Sequence, residues 1–459
     1  MKPETKLILQ TLGRYKGRYA LGALGLAGSD VGQLVTPYLV GQVIDRLSAH
    51  HLDAHGVELY ALGILACAVF TALSRLLWRQ CVFGAGRFIE CDLRERLYDH
   101  LKTLSASFFL DNKIGALMAH ATNDVSAIRG VAGEGVMSGV DGLFMFIGSA
   151  GMMLGTVDWR LALAALAPMV FLPFASYGIG RRLHSSYRLV QDAFSVLSDR
   201  VQENIAGIRV VKGFVRETQQ IAHFGETNEA YRRAYAHMAR YDRAMDPTVS
   251  LLSGASFAIA LGVGGHMVLA GQLTLGQYVA FNSFLAMLTW PMLAWGWVIN
   301  ILQRGSASAA RLQALFDVRP EVADAPDAQA PEVKGHLSLR GLTFAYGPEL
   351  PNALENISIE AEPGRVIGIL GTTGSGKTTL ANLLARLFNP PSGQVLLDGV
   401  DVLDWPLQQL RRAIAYVPQD SFLFSRTIRE NIALEPEPHT EDEILESSRL
   451  AQLDGDVQG

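Results

Sequence analysis

The residues Gly371-Thr-Thr-Gly-Ser-Gly-Lys-Thr378 match the pattern G-x-x-x-x-G-K-[ST]. These residue types at this spacing have a definite chemistry. The glycines let successive backbone N–H groups turn toward phosphate oxygens, and a helix N-terminus behind them adds partial positive charge. Lys377 is a point charge for β- and γ-phosphates, and the Thr378 hydroxyl can ligate Mg²⁺. Gly371, Thr372, Thr373, Gly374, Ser375, Gly376, Lys377 and Thr378 therefore form the candidate nucleotide site. The motif requires a strand before it and a helix after it. Val366-Ile-Gly-Ile-Leu370 reads as a buried strand, and Thr379 to Phe388 reads as an amphipathic helix.

The flanking segments extend this α/β reading. His336 to Tyr346 alternates apolar and polar residues, the pattern of a half-buried strand. Tyr346 closes that strand beside Gly347 and Pro348, and taken alone reads as a packing aromatic. Ala413-Ile-Ala-Tyr-Val417 reads as another short strand, followed by Pro418 and Gln419. A Gln in a loop, taken alone, is simply solvated.

The rest of the chain is of a different character. Of 459 residues, 49% are hydrophobic and only 18% charged, with a mean hydropathy of +0.20. Disorder is excluded by this apolar content. A net charge of −5 excludes nucleic-acid binding driven by bulk charge. Cys67, Cys81 and Cys91 make no disulfide framework and no Cys/His metal spacing. Lys plus Arg number 30 before residue 335 and 9 after it, and Asp plus Glu 27 and 17, so the two parts carry +3 and −8. The Pro-, Ala- and acid-rich segment 317–334 between them reads as a linker.

A bilayer-crossing helix needs about 20 mostly apolar residues. Six segments are expected to cross: 19–44, 57–83, 136–157, 161–180, 248–271 and 275–302. The first contains Asp30, and the second is interrupted by Arg75 and Arg79. Lys and Arg concentrate in the N-terminal stretch, in 84–130 and in 181–245, which puts those segments and the C-terminal part on the cytoplasmic side. Both long loops read as helical extensions of the spans; Leu93, Leu97, Leu101 and Leu104 recur at helical spacing. Asp30, Asp141 and His266 are costly in hydrocarbon. Each either handles substrate or protons, or is satisfied near a span end or in a wet cavity. Trp290, Trp295 and Trp297 read as interface anchors or packing residues.

Taken together the chain resembles a bacterial ABC exporter half-transporter, in which a six-helix membrane domain is fused to a nucleotide-binding domain. Beyond the phosphate loop, the resemblance rests on Tyr416-Val-Pro-Gln419 through Ile432, on Asp158-Trp-Arg-Leu-Ala-Leu and on Glu203 through Arg216. It implies an all-α transmembrane domain over 1–316, a linker over 317–334 and an incomplete α/β P-loop NTPase domain over 335–459. By that resemblance Tyr346 stacks on the adenine of ATP, Gly371 to Thr379 hold the phosphates, and Thr378 and Gln419 hold Mg²⁺, Gln419 also touching the attacking water. Short coupling helices are implied near Ser107 to Ile114 and Ile205 to Phe214. The partners it implies are a second half-transporter, identical or different, the lipid bilayer and a small-molecule, lipid or peptide cargo, with no nucleic acid. The place it implies is a bacterial inner membrane.

One departure stands out. The family's LSGGQ signature, its aspartate–glutamate pair and its switch histidine should follow Gln419, and none precedes Gly459. Leu252-Ser-Gly-Ala255 precedes the phosphate loop, and His439 comes too early. A chain with these residues alone is expected to bind nucleotide weakly and not to turn it over, as a truncated piece of a working transporter. The activity expected of the complete protein is ATP-driven export of a hydrophobic or amphipathic cargo by alternating access. The alternatives are a membrane-anchored nucleotide sensor or gated channel, or an importer built on the exporter fold.

Overall fold

A computed structural model describes every residue except 1–2, 157–158, 327, 329–330, 420, 435–438, 454 and 456–459. Asp158, part of Asp158-Trp-Arg, and Asp420, which follows Gln419, lie outside the described residues. The chain divides into two compact units, one of residues 1–102 and 113–318, the other of residues 103–112 and 319–459.

The first unit is all helix. After a short helix, Pro3–Arg14, come α1 (Lys16–Ser48) and α2 (Ala54–Thr103). The stretch 103–112, with α3 (Ala106–Asp111), belongs to the second unit. Helical turns from Ile114, with π turns at His120–Asp124 and Val131–Gly135, run into α4 (Val136–Thr156). Then follow α5 (Trp159–Ala206), the short α6 (Ile208–Gly213) and α7 (Glu217–Ile259). The unit closes with α8 (Leu275–Phe316).

Five helical runs, within 54–103, 114–155, 159–206, 217–269 and 275–316, are long and apolar enough to cross a membrane. The sequence reading gives six. The difference is α1: its 33 residues are long enough at 1.5 Å each, but Asp30, Gln33 and Gln42 make it too polar to qualify by composition alone.

The core of this unit gathers Met153 of α4, Leu161, Met169 and Leu172 of α5, and Phe281, Phe284 and Leu288 of α8. Small residues let the helices close up. A Cβ on Gly276 would sit 1.9 Å from the Gly41 carbonyl oxygen, so glycines at both positions let α1 and α8 touch backbone to backbone. The Asp45 carboxylate fixes the same junction by accepting from the Thr274 hydroxyl and the Gly276 N–H, each at 2.7 Å. Toward the other end of α8, Arg311 donates to the buried Asp124 carboxylate, which also pairs with His120 at 2.7 Å. Trp290, Trp295 and Trp297 are exposed on α8, as expected of anchors at a lipid boundary. His266 is exposed as well.

The second unit is built on a four-stranded antiparallel sheet in the order β2-β1-β3-β4, with β1 Leu337–Phe344, β2 Leu354–Ala361, β3 Val395–Leu397 and β4 Val400–Asp401. Leu339 and Leu342 of β1, with Val395 and Leu397 of β3, face α9 (Lys377–Leu384) and α10 (Leu407–Ala413) across a core completed by Trp405. The β3–β4 turn carries Asp398, whose carboxylate accepts backbone N–H groups from Lys334 (2.9 Å), Gly335 (3.2 Å) and His336 (2.9 Å). These bonds anchor the start of β1. Burial acts to raise the Asp398 pKa, but the N–H donors from His336, Lys334 and Gly335 outweigh it and hold it below the usual range.

Two expectations fail here. Val366–Leu370 is not a strand: Val366 and Leu370 are each 98% exposed. Residues 413–417 are not a strand either: Ala413 ends a helix, 414–417 carry no regular element, and Val417 is 90% exposed. The reason is that apolar composition supplies strand propensity, whereas a strand exists only with a hydrogen-bonded neighbour. All four strands of the described sheet pair among themselves, and none lies beside 366–370. The helix after the phosphate loop is also shorter than the pattern to Phe388: α9 ends at Leu384, and Arg386 takes a left-handed φ of 47°.

Candidate functional site

The phosphate loop runs from Gly371 into the first turn of α9. Gly374 and Gly376 adopt φ of 83° and 89°, conformations that glycine alone enters without penalty. Gly376 is needed twice over, since a Cβ there would lie 2.5 Å from the Ala353 carbonyl oxygen and 2.7 Å from Leu354 Cδ2. That close approach seats the loop against the start of β2. Leu380 and Leu383 of α9 are buried in the core beneath the sheet, so the loop is carried on a fixed helix.

Lys377 is drawn into the loop. Its Nζ donates to the carbonyl oxygens of Gly371 and Thr372, both at 2.8 Å, and to Ser375 Oγ at 3.3 Å. Gly371 to Ser375 are exposed, so their surface is open to a ligand.

Two residues singled out far from the loop in sequence lie against it. Gln419 Oε1 accepts from Thr378 Oγ1 at 3.5 Å. The Gln419 segment is held by Tyr416, whose hydroxyl donates to Asn382 Oδ1 on α9 at 2.7 Å. Tyr346, just beyond β1, donates from its hydroxyl to Thr379 Oγ1 at 3.0 Å. Its ring meets Phe388 edge-on at 5.0 Å and Phe344 at 5.1 Å, and 41% of the residue stays exposed. The aromatic packing anticipated for Tyr346 is thus present, together with an open side. The oxygens of Thr378 and Gln419 are hard donors of the kind Mg²⁺ takes, so the residues fit that ion.

Sequence reasoning passed over several contributors. Phe344 and Phe388 buttress Tyr346, and Asn382 anchors Tyr416. Arg386 is 3% exposed and donates to Val402 O, Trp405 O, Ala323 O and Asn389 Oδ1. The local signal for Arg386 and Phe388 was a base and an aromatic at the end of the amphipathic run 379–388.

The expected coupling segments are both short helices, α3 and α6. Around α3, the Ser105 hydroxyl oxygen accepts from the Val322 N–H at 2.8 Å, and the Ser107 hydroxyl donates to Glu321. Asn389 in turn donates to the Glu321 carbonyl at 2.7 Å. In the membrane unit, a cavity of about 510 Å³ is lined by Phe83, Arg87, Arg129, Glu134, Ile301 and Arg304 among others.

Two family models match the chain. Residues 19–292 match the family model described as ABC transporter transmembrane region, and residues 354–458 match the model described as ABC transporter. The chain is 35% identical over 444 residues to YheI of Bacillus subtilis (strain 168), named a probable multidrug resistance ABC transporter ATP-binding/permease protein, covering 96% of this chain and 75% of that one. It is 37% identical over 444 residues to MdlA of Escherichia coli (strain K12), named a multidrug resistance-like ATP-binding protein, covering 97% and 74%. To the ATP-dependent lipid A-core flippase of Syntrophus aciditrophicus (strain SB) it is 33% identical over 369 residues, 80% of this chain and 61% of the flippase. With a bundle of membrane-crossing helices joined to a phosphate loop carried on a sheet and helix, the chain belongs to the ABC transporter family, as an ATP-driven exporter of the half-transporter kind.

Proposed function

We propose that this protein is one half of a dimeric exporter that moves an amphipathic cargo out of the cytoplasm by alternating access. The observation that carries the reading is the meeting of Tyr346, Thr378, Thr379 and Gln419 at one loop, through the hydrogen bonds Tyr346–Thr379 and Thr378–Gln419. Tyr346 offers its open side to adenine, while Gly371 to Thr379 wrap the phosphates and Lys377 exchanges its loop carbonyls for phosphate oxygens. Thr378 and Gln419 would hold Mg²⁺, which when bound would supply positive charge for the phosphates. Gln419 also orients water at the γ-phosphate. We assign α1 as a sixth span, which puts the N-terminus and the nucleotide unit on the cytoplasmic side of a bacterial inner membrane.

The cargo reading draws on two supports. The 510 Å³ cavity is lined by Arg87, Arg129 and Arg304 with Glu134, beside Phe83 and Ile301, and Arg129 is paired with Glu90; this net basic and partly apolar lining suits a molecule with an apolar body and an anionic end. Relatives carry names of multidrug and lipid A-core transport. Motion passes from the nucleotide unit through α3 and the equivalent tip at α6.

The test is reconstitution into lipid vesicles of the protein expressed from its complete gene. Mg²⁺-dependent ATP turnover, cargo accumulation on the trans side and loss of both in Lys377→Ala are expected. ATP binding without turnover or flux would replace this reading with the nucleotide sensor.

A further inference from the structure

The two acidic residues singled out within the spans come together in the fold. Asp30 sits midway along α1 and is only 2% exposed. Neither of its carboxylate oxygens receives a hydrogen bond from any donor among the described residues. Asp141 of α4 lies on the same α1–α4 contact, where a Cβ on Gly148, two turns beyond Asp141, would meet Leu34 Cδ1, one turn beyond Asp30, at 2.4 Å, and the two carboxyls act on each other there. Arg75 of α2 is the other charged group that acts on the pair. The third helix packed on α1, α8, carries no charged residue between Leu275 and Gln303.

The charge balance is then explicit. Two carboxylates and one guanidinium leave one uncompensated negative charge inside a hydrocarbon-embedded bundle, where an unpaired charge is strongly disfavoured. Carboxyl oxygens of two acids approach to hydrogen-bonding reach only with a proton between them, because like charges that close cannot both ionise. One proton satisfies both conditions: it supplies the donor that Asp30 lacks, and it makes the Asp30–Asp141–Arg75 group neutral.

We propose that Asp30 and Asp141 form a proton-binding site in the membrane unit, sharing one proton between α1 and α4 at neutral pH. The proton bridges two helices that both pack on α8. Its loss leaves two facing carboxylates, which repel and push α1 and α4 apart. The site therefore gives the bundle a protonation-dependent contact. The inference relies on the membrane placement of α1 and α4 and is independent of which cargo is moved.

The experiment is infrared spectroscopy of the protein in lipid nanodiscs, followed through a pH titration. The wild type should show the C=O stretch of a buried protonated carboxyl at neutral pH, lost on titration to alkaline pH. Asp30→Asn and Asp141→Asn should each abolish the band, because either leaves a single carboxylate balanced by Arg75. Arg75→Gln should retain the band to higher pH. Melting temperature should fall as pH rises in the wild type and lose that slope in both Asn variants, which a merely structural carboxylate would not produce. An unchanged helical circular-dichroism signal and a monodisperse gel-filtration peak show that the membrane unit of each variant folds. A wild type without the band overturns the proposal whatever the variants do. So does a band that persists in both Asn variants, or one displaced by Na⁺ or K⁺, which would assign an alkali cation instead.

Discussion

Lys377 holds three loop acceptors with one ammonium, and that organisation makes it replaceable only at large cost. Removing one preorganised electrostatic contact from a reacting phosphate lowers turnover by ~10²-fold or more. Lys377→Ala should do so in a phosphate-release assay. Tyr346 separates two contributions. Tyr346→Ala removes the ring and should weaken ATP binding by about 1–3 kcal/mol, the range for a base stacked on an aromatic side chain. Tyr346→Phe keeps the ring and loses the hydrogen bond to Thr379, worth about 1 kcal/mol. Equal losses in a binding titration would mean that the hydroxyl, and not the ring, is what matters. The aromatic was legible in the sequence as a strand-end residue. Its seat between Phe344 and Phe388 was not, because Phe388 lies 42 positions away and only the folded sheet brings it near.

At the scale of elements, the loop depends on how α9 meets β2. Gly376→Ala must carry a Cβ into the Ala353 carbonyl at φ 89°, so the nucleotide unit should lose at least about 1–2 kcal/mol in a denaturant melt, with ATP binding lost in parallel. The turn at Asp398 sets a pH dependence. Its pKa is depressed in the fold, so its contribution is fully present above the unfolded value of about 3.9 and disappears as pH falls through the folded one. Wild-type stability should drop on acidification below that range, and Asp398→Asn should be less stable at neutral pH while showing less of that drop. The strand at 337–344 was legible because a half-buried strand alternates, and the long helices because a crossing helix must be apolar throughout. The segments 366–370 and 413–417 were misread because an apolar run records what a strand would bury, not whether a neighbour is there to pair with it. The Asp398 clasp was unreadable for a different reason: nothing local links it to Lys334.

At the scale of the whole molecule, orientation can be checked with a native residue. Cys91 is exposed on the stretch of α2 beyond its apolar part, whereas Cys67 and Cys81 are half-buried within it. A membrane-impermeant thiol reagent should label Cys91 in inside-out vesicles and not in right-side-out ones; the opposite pattern would invert the proposed topology. Charge and hydropathy alone mark the passage from an apolar, basic part to an acidic one, but not the membership of 103–112 in the second unit, which rests on contacts such as Ser105 with Val322. The pairing of Asp30 with Asp141 was not, since 111 residues separate them and only the bundle brings them together. A last consequence concerns solubility. Val366-Ile-Gly-Ile-Leu370 is uncharged, rich in β-branched residues and has no ladder partner among the described residues, while Val417, Phe422 and Leu423 are exposed too. Such a run is an open seat for one more strand, and a strand from another copy fits it as well as any. Unless it is occupied, concentrated protein should self-associate through this segment, and a single gatekeeping charge, Val366→Lys, should delay the rise in light scattering without touching the phosphate loop.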